Sequence, residues 1–296
     1  MEHDCEFVSS RGILKSCTLH KDDICSSDTN LDPEVFKRVQ ENETLYINNS
    51  SVRYFFEHYF HTIQYPFILV SGDSDLSMPF NGYEQYVKNP LLIHWFCQNL
   101  TVQHEKITHL PIGLDYHTLS KLNEIHPWGI GCSPLQQESI LKSIVKKPLF
   151  ERYFACYINF HFTHWGIHTR GDRQECLSSI PKELCYFQPT YLDRKTTWDC
   201  MSQCVFVICP FGGGYDTHRL WETLILGSIP IVKSSGLDPL LKDLNVLIVQ
   251  SWSDLSHELL INHIHTLKPI HTEKLTLRYW VKAIESKKNI WKQSTL

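Results

Sequence analysis

The sequence predicts an α/β protein built from two Rossmann-like domains that face each other across a cleft. Strand-length apolar runs without polar alternation recur along the chain, as in parallel sheets covered on both faces. Segments of helical periodicity separate them, which is the strand–helix–strand rhythm of doubly wound folds. A breaker-rich stretch at 127–134 interrupts this series near the middle and sets the domains at 1–135 and 136–296.

In the first half, 45–47 reads as a strand and 52–63 as a helix whose aromatic residues occupy most faces, which predicts burial. A second strand at 66–70 runs into the turn Ser71-Gly72-Asp73-Ser74-Asp75, and strands at 91–96 and 107–112 continue the series. A helix over 136–147 stops before Pro148, because the residue preceding a proline is pushed out of the helical region. The second half alternates strands at 154–160, 184–187, 205–209, 229–232 and 246–249 with helices at 172–179, 196–204, 217–226, 239–244 and 254–267. The tail at 272–292 carries Leu275, Tyr279 and Ile284 amid charge, the pattern of a surface helix packed on one face.

Composition narrows the function classes. The 296 residues are 42 % hydrophobic and 20 % charged, an ordinary globular balance that excludes wholesale disorder. Net charge is −4, with 28 Lys+Arg against 32 Asp+Glu, so no broad basic face is available to hold nucleic acid. No run approaches the roughly 18 apolar residues of a membrane helix, and the opening MEHDCEFVSS lacks the basic and apolar regions of a signal peptide. A soluble, cytoplasmic protein is expected (in the host cytosol if the source is a virus). The eleven cysteines are odd in number and include no C-x-x-C pair, so they read as reduced, mostly buried residues.

The most informative stretch is 209–232, which runs strand, glycine loop, helix, strand. Gly212, Gly213 and Gly214 let backbone approach a ligand closely, and a helix starting near Asp216 aims free N–H groups back at the loop. That arrangement suits an anion. Arg219 adds a planar fork for phosphate oxygens, and Glu222, on the same helix face, can accept hydrogen bonds from ribose hydroxyls. The competing structural reading is a tight turn followed by an Arg219–Glu222 salt bridge. Neither a Walker A lysine nor G-x-G-x-x-G follows, which removes ordinary triphosphatase and dehydrogenase readings.

Pro210-Phe-Gly-Gly-Gly-Tyr-Asp-Thr-His-Arg-Leu-Trp-Glu222, continuing to Gly227-Ser-Ile-Pro-Ile-Val232, resembles the signature of the exostosin-like glycosyltransferases, glycosyltransferase family 47. The pattern is similar to that of the family's small soluble members from large algal viruses. Leu110-Pro-Ile-Gly-Leu-Asp115, Trp95 to Asn99 and the 159–170 stretch extend the resemblance, while Cys209 stands where the family usually has Ser. The resemblance implies a GT-B fold and an inverting transfer from a UDP-sugar, xylose among the sugars, to a hydroxyl of a glycan. It implies that Arg219 neutralises the diphosphate and Glu222 contacts ribose, with no essential metal or other cofactor, while Gly212, Gly213, Gly214, Tyr215, Asp216 and His218 are the further candidate donor contacts around them.

A departing diphosphate needs a second cation. Arg170, where a strand end enters a helix, is the candidate, and Arg173 competes with it unless it pairs with Asp172 or Glu175. An inverting displacement also needs a base from the opposite domain. Asp73 follows a buried strand and is the candidate, with Asp75 in reserve. Asp73-Ser74-Asp75 also spells the D-x-D pattern of metal-dependent GT-A enzymes, which is one alternative. A non-catalytic nucleotide- or glycan-binding protein on the same scaffold is another. His161, His164 and His168 cluster near Arg170 without metal-ligand spacing, and the 186–190 loop, with Tyr186, is the candidate nucleobase contact.

Overall fold

Each apolar run becomes a strand, and all the long ones are parallel. The structure, a computed structural model, describes residues 1–23, 25–160, 171–268 and 271–295. In the first lobe β1 (Glu43–Asn48), β2 (Phe67–Gly72), β3 (Leu92–Gln98) and β4 (Ile107–Leu110) lie in the order β1-β2-β3-β4. Every residue of β2 is buried, which is why its sequence shows no alternation.

Helix α1 (Ser10–Lys15) is capped by the Ser9 side chain and buries Ile13 and Leu14, while α2 (Pro33–Lys37) is capped by Asp32. Neither short helix is anticipated from the sequence. Helix α3 (Asn49–His58) buries Val52, Phe55 and Phe56. Its Tyr54 is 50 % exposed, so the aromatic-rich helix is amphipathic, not buried all round. A four-residue helix, α4 (Glu84–Val87), precedes β3.

Between the lobes, a small antiparallel hairpin of β5 (Ile125–His126) and β6 (Gly129–Ile130) occupies the breaker-rich region. Helix α5 (Pro134–Ser143) follows, begun by a capping box of Ser133 and Gln136. The second sheet orders β11 (Leu247–Val249), β10 (Ile229–Lys233), β9 (Cys204–Ile208), β7 (Tyr153–Ile158) and β8 (Cys185–Phe187). Its helices are α6 (Asp172–Ser179), α7 (Arg194–Gln203), α8 (His218–Ile225), α9 (Asp238–Leu241) and α10 (His257–His265). The chain leaves β7 for β8 on one side and returns to β9 on the other, so the order reverses there. Ligand crevices in open α/β sheets form at such a reversal, beyond the carboxyl ends of the strands.

The last helix, α11 (Leu277–Thr295), corrects the sequence-based division at 135/136. It returns to the first lobe and packs on α1 and β3. There the Leu277 N–H bonds to the Glu6 carbonyl at 2.8 Å and Asn42 Nδ2 reaches the Lys288 carbonyl at 3.3 Å. Its buried stripe is Leu277, Trp280 and Ile284, so Trp280, not Tyr279, is the deepest ring. An amphipathic helix reveals which face is buried but not against what. All eleven cysteines are unpaired, and burial pushes several thiols up, that of Cys97 to about 12. Among the described residues no helix is long and apolar enough to cross a membrane.

Trp280 is 5 % exposed and its Nε1 bonds to the Lys274 carbonyl at 2.9 Å. Trp280→Ala is expected to lower the unfolding free energy by about 3–5 kcal/mol in urea denaturation. A loss under about 1 kcal/mol would contradict this docking of α11.

Candidate functional site

The site begins where β9 ends and the glycine loop turns toward α8. Asp172, first residue of α6, fixes the loop: its Oδ2 accepts the Phe211 N–H at 2.8 Å and its Oδ1 accepts Trp252 Nε1–H at 2.8 Å. None of Gly212, Gly213 and Gly214 has a positive φ, so these positions are not required for left-handed backbone. Space is what they provide. A Cβ on Gly213 would lie 2.0 Å from Asp75 Oδ2, and one on Gly214 would lie 2.8 Å from Asn99 Nδ2. The glycines therefore admit the first lobe as much as a ligand, while Gly212 faces Arg173 Nη2.

The facing surface consists of the carboxyl ends of β2, β3 and β4. Asp73 and Asn99, just past β2 and β3, adopt left-handed backbone with φ of 51° and 52°. Asn99 accepts the Asp216 N–H at 3.0 Å and donates to the Ser74 carbonyl at 3.1 Å. Asp216, 2 % exposed, accepts the Ile112 N–H at 2.7 Å and Trp221 Nε1–H at 2.8 Å. His218 Nδ1 bonds to the Gly113 carbonyl at 2.7 Å. Asp216 thus joins the lobes.

A cavity of about 420 Å³ lies between the lobes, within the range of small-molecule sites. Arg173, Arg219, Glu222, Gly212 and Gly213 line one side, and Asp75 and Asp115 the other. Arg219 Nη2 donates to the Asn159 carbonyl, while its Nη1 is buried without a partner among the described residues. Arg173 Nε reaches the Phe211 carbonyl at 3.3 Å. Burial, and then the charge of Arg219, push the Arg173 guanidinium down. Asp172 and Glu175 pair instead with Lys233, at 3.0 and 2.6 Å. No Arg219–Glu222 ion pair forms either. Two guanidinium groups therefore face the cavity without a carboxylate partner within salt-bridge distance among the described residues.

The remaining candidates separate. Tyr215 packs edge-on against Phe211 with centroids 4.9 Å apart, away from the cavity lining. Arg170, His161, His164 and His168 lie outside the described residues. Asp75 is exposed and lines the cavity; Asp73 is 5 % exposed and does not. The Asp73 carboxylate faces Ser26 Oγ at 3.0 Å and Arg11 Nε at 3.5 Å, so the two carboxylates of the D-x-D pattern diverge. Tyr186 is half-exposed and off the lining, whereas Tyr191 and Trp128 are on it, joined by a 3.3 Å hydrogen bond from Trp128 Nε1 to the Tyr191 hydroxyl.

The sequence gives no sign of the buried Asp115–Arg194 pair at 3.0 Å, whose partners are far apart in the chain. Burial works against the Asp115 carboxylate, but the charges of His218, His117 and Arg194 outweigh it and hold the group well below the usual range. Arg194 also covers the Trp128 ring at 5.1 Å, which fixes that ring at the cavity mouth.

No family model matches the sequence, and no curated protein is significantly similar to it. Two solved structures share a distant likeness of fold. One, described as an OtsA apo structure, has a TM-score of 0.39 and 10 % identity over 88 % of this chain and 75 % of that one. The other, a GtfA/B complex, has a TM-score of 0.36 and 11 % identity over 88 % of this chain and 59 % of that one. Likeness at this distance leaves the chemistry to be read from the site.

Burial pushes the Asp216 carboxyl up to about 6, although bonds from Ile112 and Trp221 and the charge of His218 favour its ionised form. Because that value lies above the unfolded one, the group's contribution to stability is complete below about pH 4 and is lost as pH rises through about 6. The stability of the wild type relative to Asp216→Asn should fall by on the order of 2–3 kcal/mol between about pH 4 and pH 8 in denaturant titrations. A pH-independent difference would refute this.

Proposed function

We propose that the chain is an inverting, exostosin-like glycosyltransferase of GT-B architecture that transfers a sugar from a UDP-sugar, xylose being the favoured case, to a hydroxyl of a glycan. The observation that carries this reading is the pair Arg173 and Arg219, uncompensated beside a glycine loop in an interlobe cavity. Two guanidiniums suit a diphosphate, whose charge grows as it departs. Glu222, one turn further along α8 and free of ion pairs among the described residues, suits ribose hydroxyls. No metal is required where two arginines take up the leaving-group charge.

Inversion requires the hydroxyl to attack the anomeric carbon from the face opposite the leaving group. The base must then stand about a sugar ring away from the phosphate cradle. Asp75 touches Gly213 and is on the phosphate side, so it fits poorly. Asp73, two residues earlier, faces away from the loop, and its Oδ2 has no hydrogen bond. In the proposed step the acceptor oxygen bonds to the anomeric carbon as the carbon–oxygen bond to phosphate breaks. The hydroxyl proton passes to Asp73, and the leaving electron pair stays on the diphosphate between Arg173 and Arg219.

Calorimetric titration with UDP, with and without EDTA, tests the reading; no binding in either condition would refute it. Arg219→Ala should weaken UDP about tenfold or more, since a charge-assisted hydrogen bond contributes ~1.5–3 kcal/mol. Asp73→Asn should leave UDP affinity unchanged and lower kcat by roughly 10²–10⁴, whereas Asp75→Asn should do far less. The reverse ranking would move the base role to Asp75.

A further inference from the structure

Next to the cavity, on the first lobe, four polar side chains converge without pairing well. Arg11 comes from α1, Ser26 from the loop after it, Asp73 from the end of β2, and His117 from the segment after β4. Arg11 Nε and Asp73 Oδ2 are both buried and without a hydrogen bond, 3.5 Å apart. Ser26 Oγ donates to Asp73 Oδ1 at 3.0 Å and accepts from Arg11 Nη2 at 3.2 Å. His117 Nε2 stands 3.5 Å from the same hydroxyl, at the limit of a hydrogen bond.

The histidine's orientation is set from its other side. His117 Nδ1 lies 3.1 Å from Asp115 Oδ1, so the network assigns the ring proton to Nδ1 and leaves a lone pair on Nε2. Asp115 and His218 both line the cavity, and the rings of His117 and His218 are 6.0 Å apart. The cluster therefore adjoins the proposed transfer site. Buried polar atoms left unsatisfied carry a cost of their own, and their convergence beside the cavity marks groups that a ligand can satisfy.

We propose that Arg11, Ser26, Asp73 and His117 form the acceptor-sugar subsite and grip neighbouring hydroxyls of a pyranose. The complementarity is chemical. Arg11 Nε–H donates to one sugar oxygen, while Asp73 Oδ2 and His117 Nε2 accept from adjacent hydroxyls. A free anion is disfavoured by Asp73 and a cation by Arg11, whereas a polyol satisfies donors and acceptors together. The inference rests on the transferase reading, and it gives Asp73 a substrate hydroxyl to deprotonate.

Saturation-transfer NMR on the UDP-saturated full chain, with the methyl pyranosides of xylose, glucose, galactose and fucose as probes, tests it. At least one glycoside should bind the wild type, and Arg11→Gln and His117→Ala should each weaken it by about tenfold or more. UDP affinity, measured by calorimetry on the same samples, should stay within about twofold, which shows that the variants are folded. If Arg11→Gln loses UDP as well, His117→Ala decides. Unchanged glycoside affinity in the variants, or UDP binding with no glycoside bound, overturns the subsite. Failure of the wild type to bind UDP fails the transferase reading instead.

Discussion

The contact on which the rest depends is the close approach of the glycine loop to the ends of β2 and β3. Two lobes with separate sheets form one site only if backbone from one reaches side chains of the other. Gly213 and Gly214 permit this, because any side chain there would collide with Asp75 or Asn99. Asp216 then closes the joint from within, holding the Ile112 N–H across the interface and Trp221 behind it. Asn99 completes the joint by holding the Asp216 N–H and the Ser74 carbonyl at once. A shift of any of these would move Arg219 relative to the acidic turn.

The electrostatics follow from how charges are shared around this joint. Lys233 takes both Asp172 and Glu175, so the carboxylates nearest Arg173 along the chain are already engaged. Arg194 is absorbed by Asp115 and by the carbonyl and ring groups about it. Arg173 and Arg219 face the cavity hydrogen-bonded only to main-chain carbonyls among the described residues, with Arg173 also over the Phe160 ring at 5.9 Å. Like charges held together raise each other's cost, and the charge of Arg219 adds to burial in pushing Arg173 down.

Legibility of the sequence divides along physical lines. Buried parallel strands are apolar runs, so all the long strands can be located from residues alone, to within a few positions at their ends. Helices α1 and α2, with six and five residues, cannot, since so short a helix depends on tertiary packing more than on its own propensity. Arg219 and Glu222 can be located because strand, glycines and helix are consecutive. Arg173 as a cavity residue, the Asp115–Arg194 pair and the Trp128–Tyr191 contact depend on distant partners that no local pattern records. Tyr186 lies in the short edge strand β8 and Tyr191 in the loop after it, so the choice between them required the fold.

The divergence of Asp73 and Asp75 has a backbone cause. With φ at 51°, Asp73 sits in the left-handed region, which costs a non-glycine residue free energy that its surroundings must offset. Gln98 Oε1 accepts its N–H at 2.8 Å, while its carbonyl accepts from Ser27 and Asn48. In an extended turn, residues two apart would tend to share a face, and both carboxylates would crowd the glycine loop. The left-handed residue breaks that alternation, sending one carboxylate to the glycine loop and the other to Arg11 and Ser26. Strain stored at a single position thus holds the two carboxylates apart, one beside the glycine loop and the other among Arg11 and Ser26.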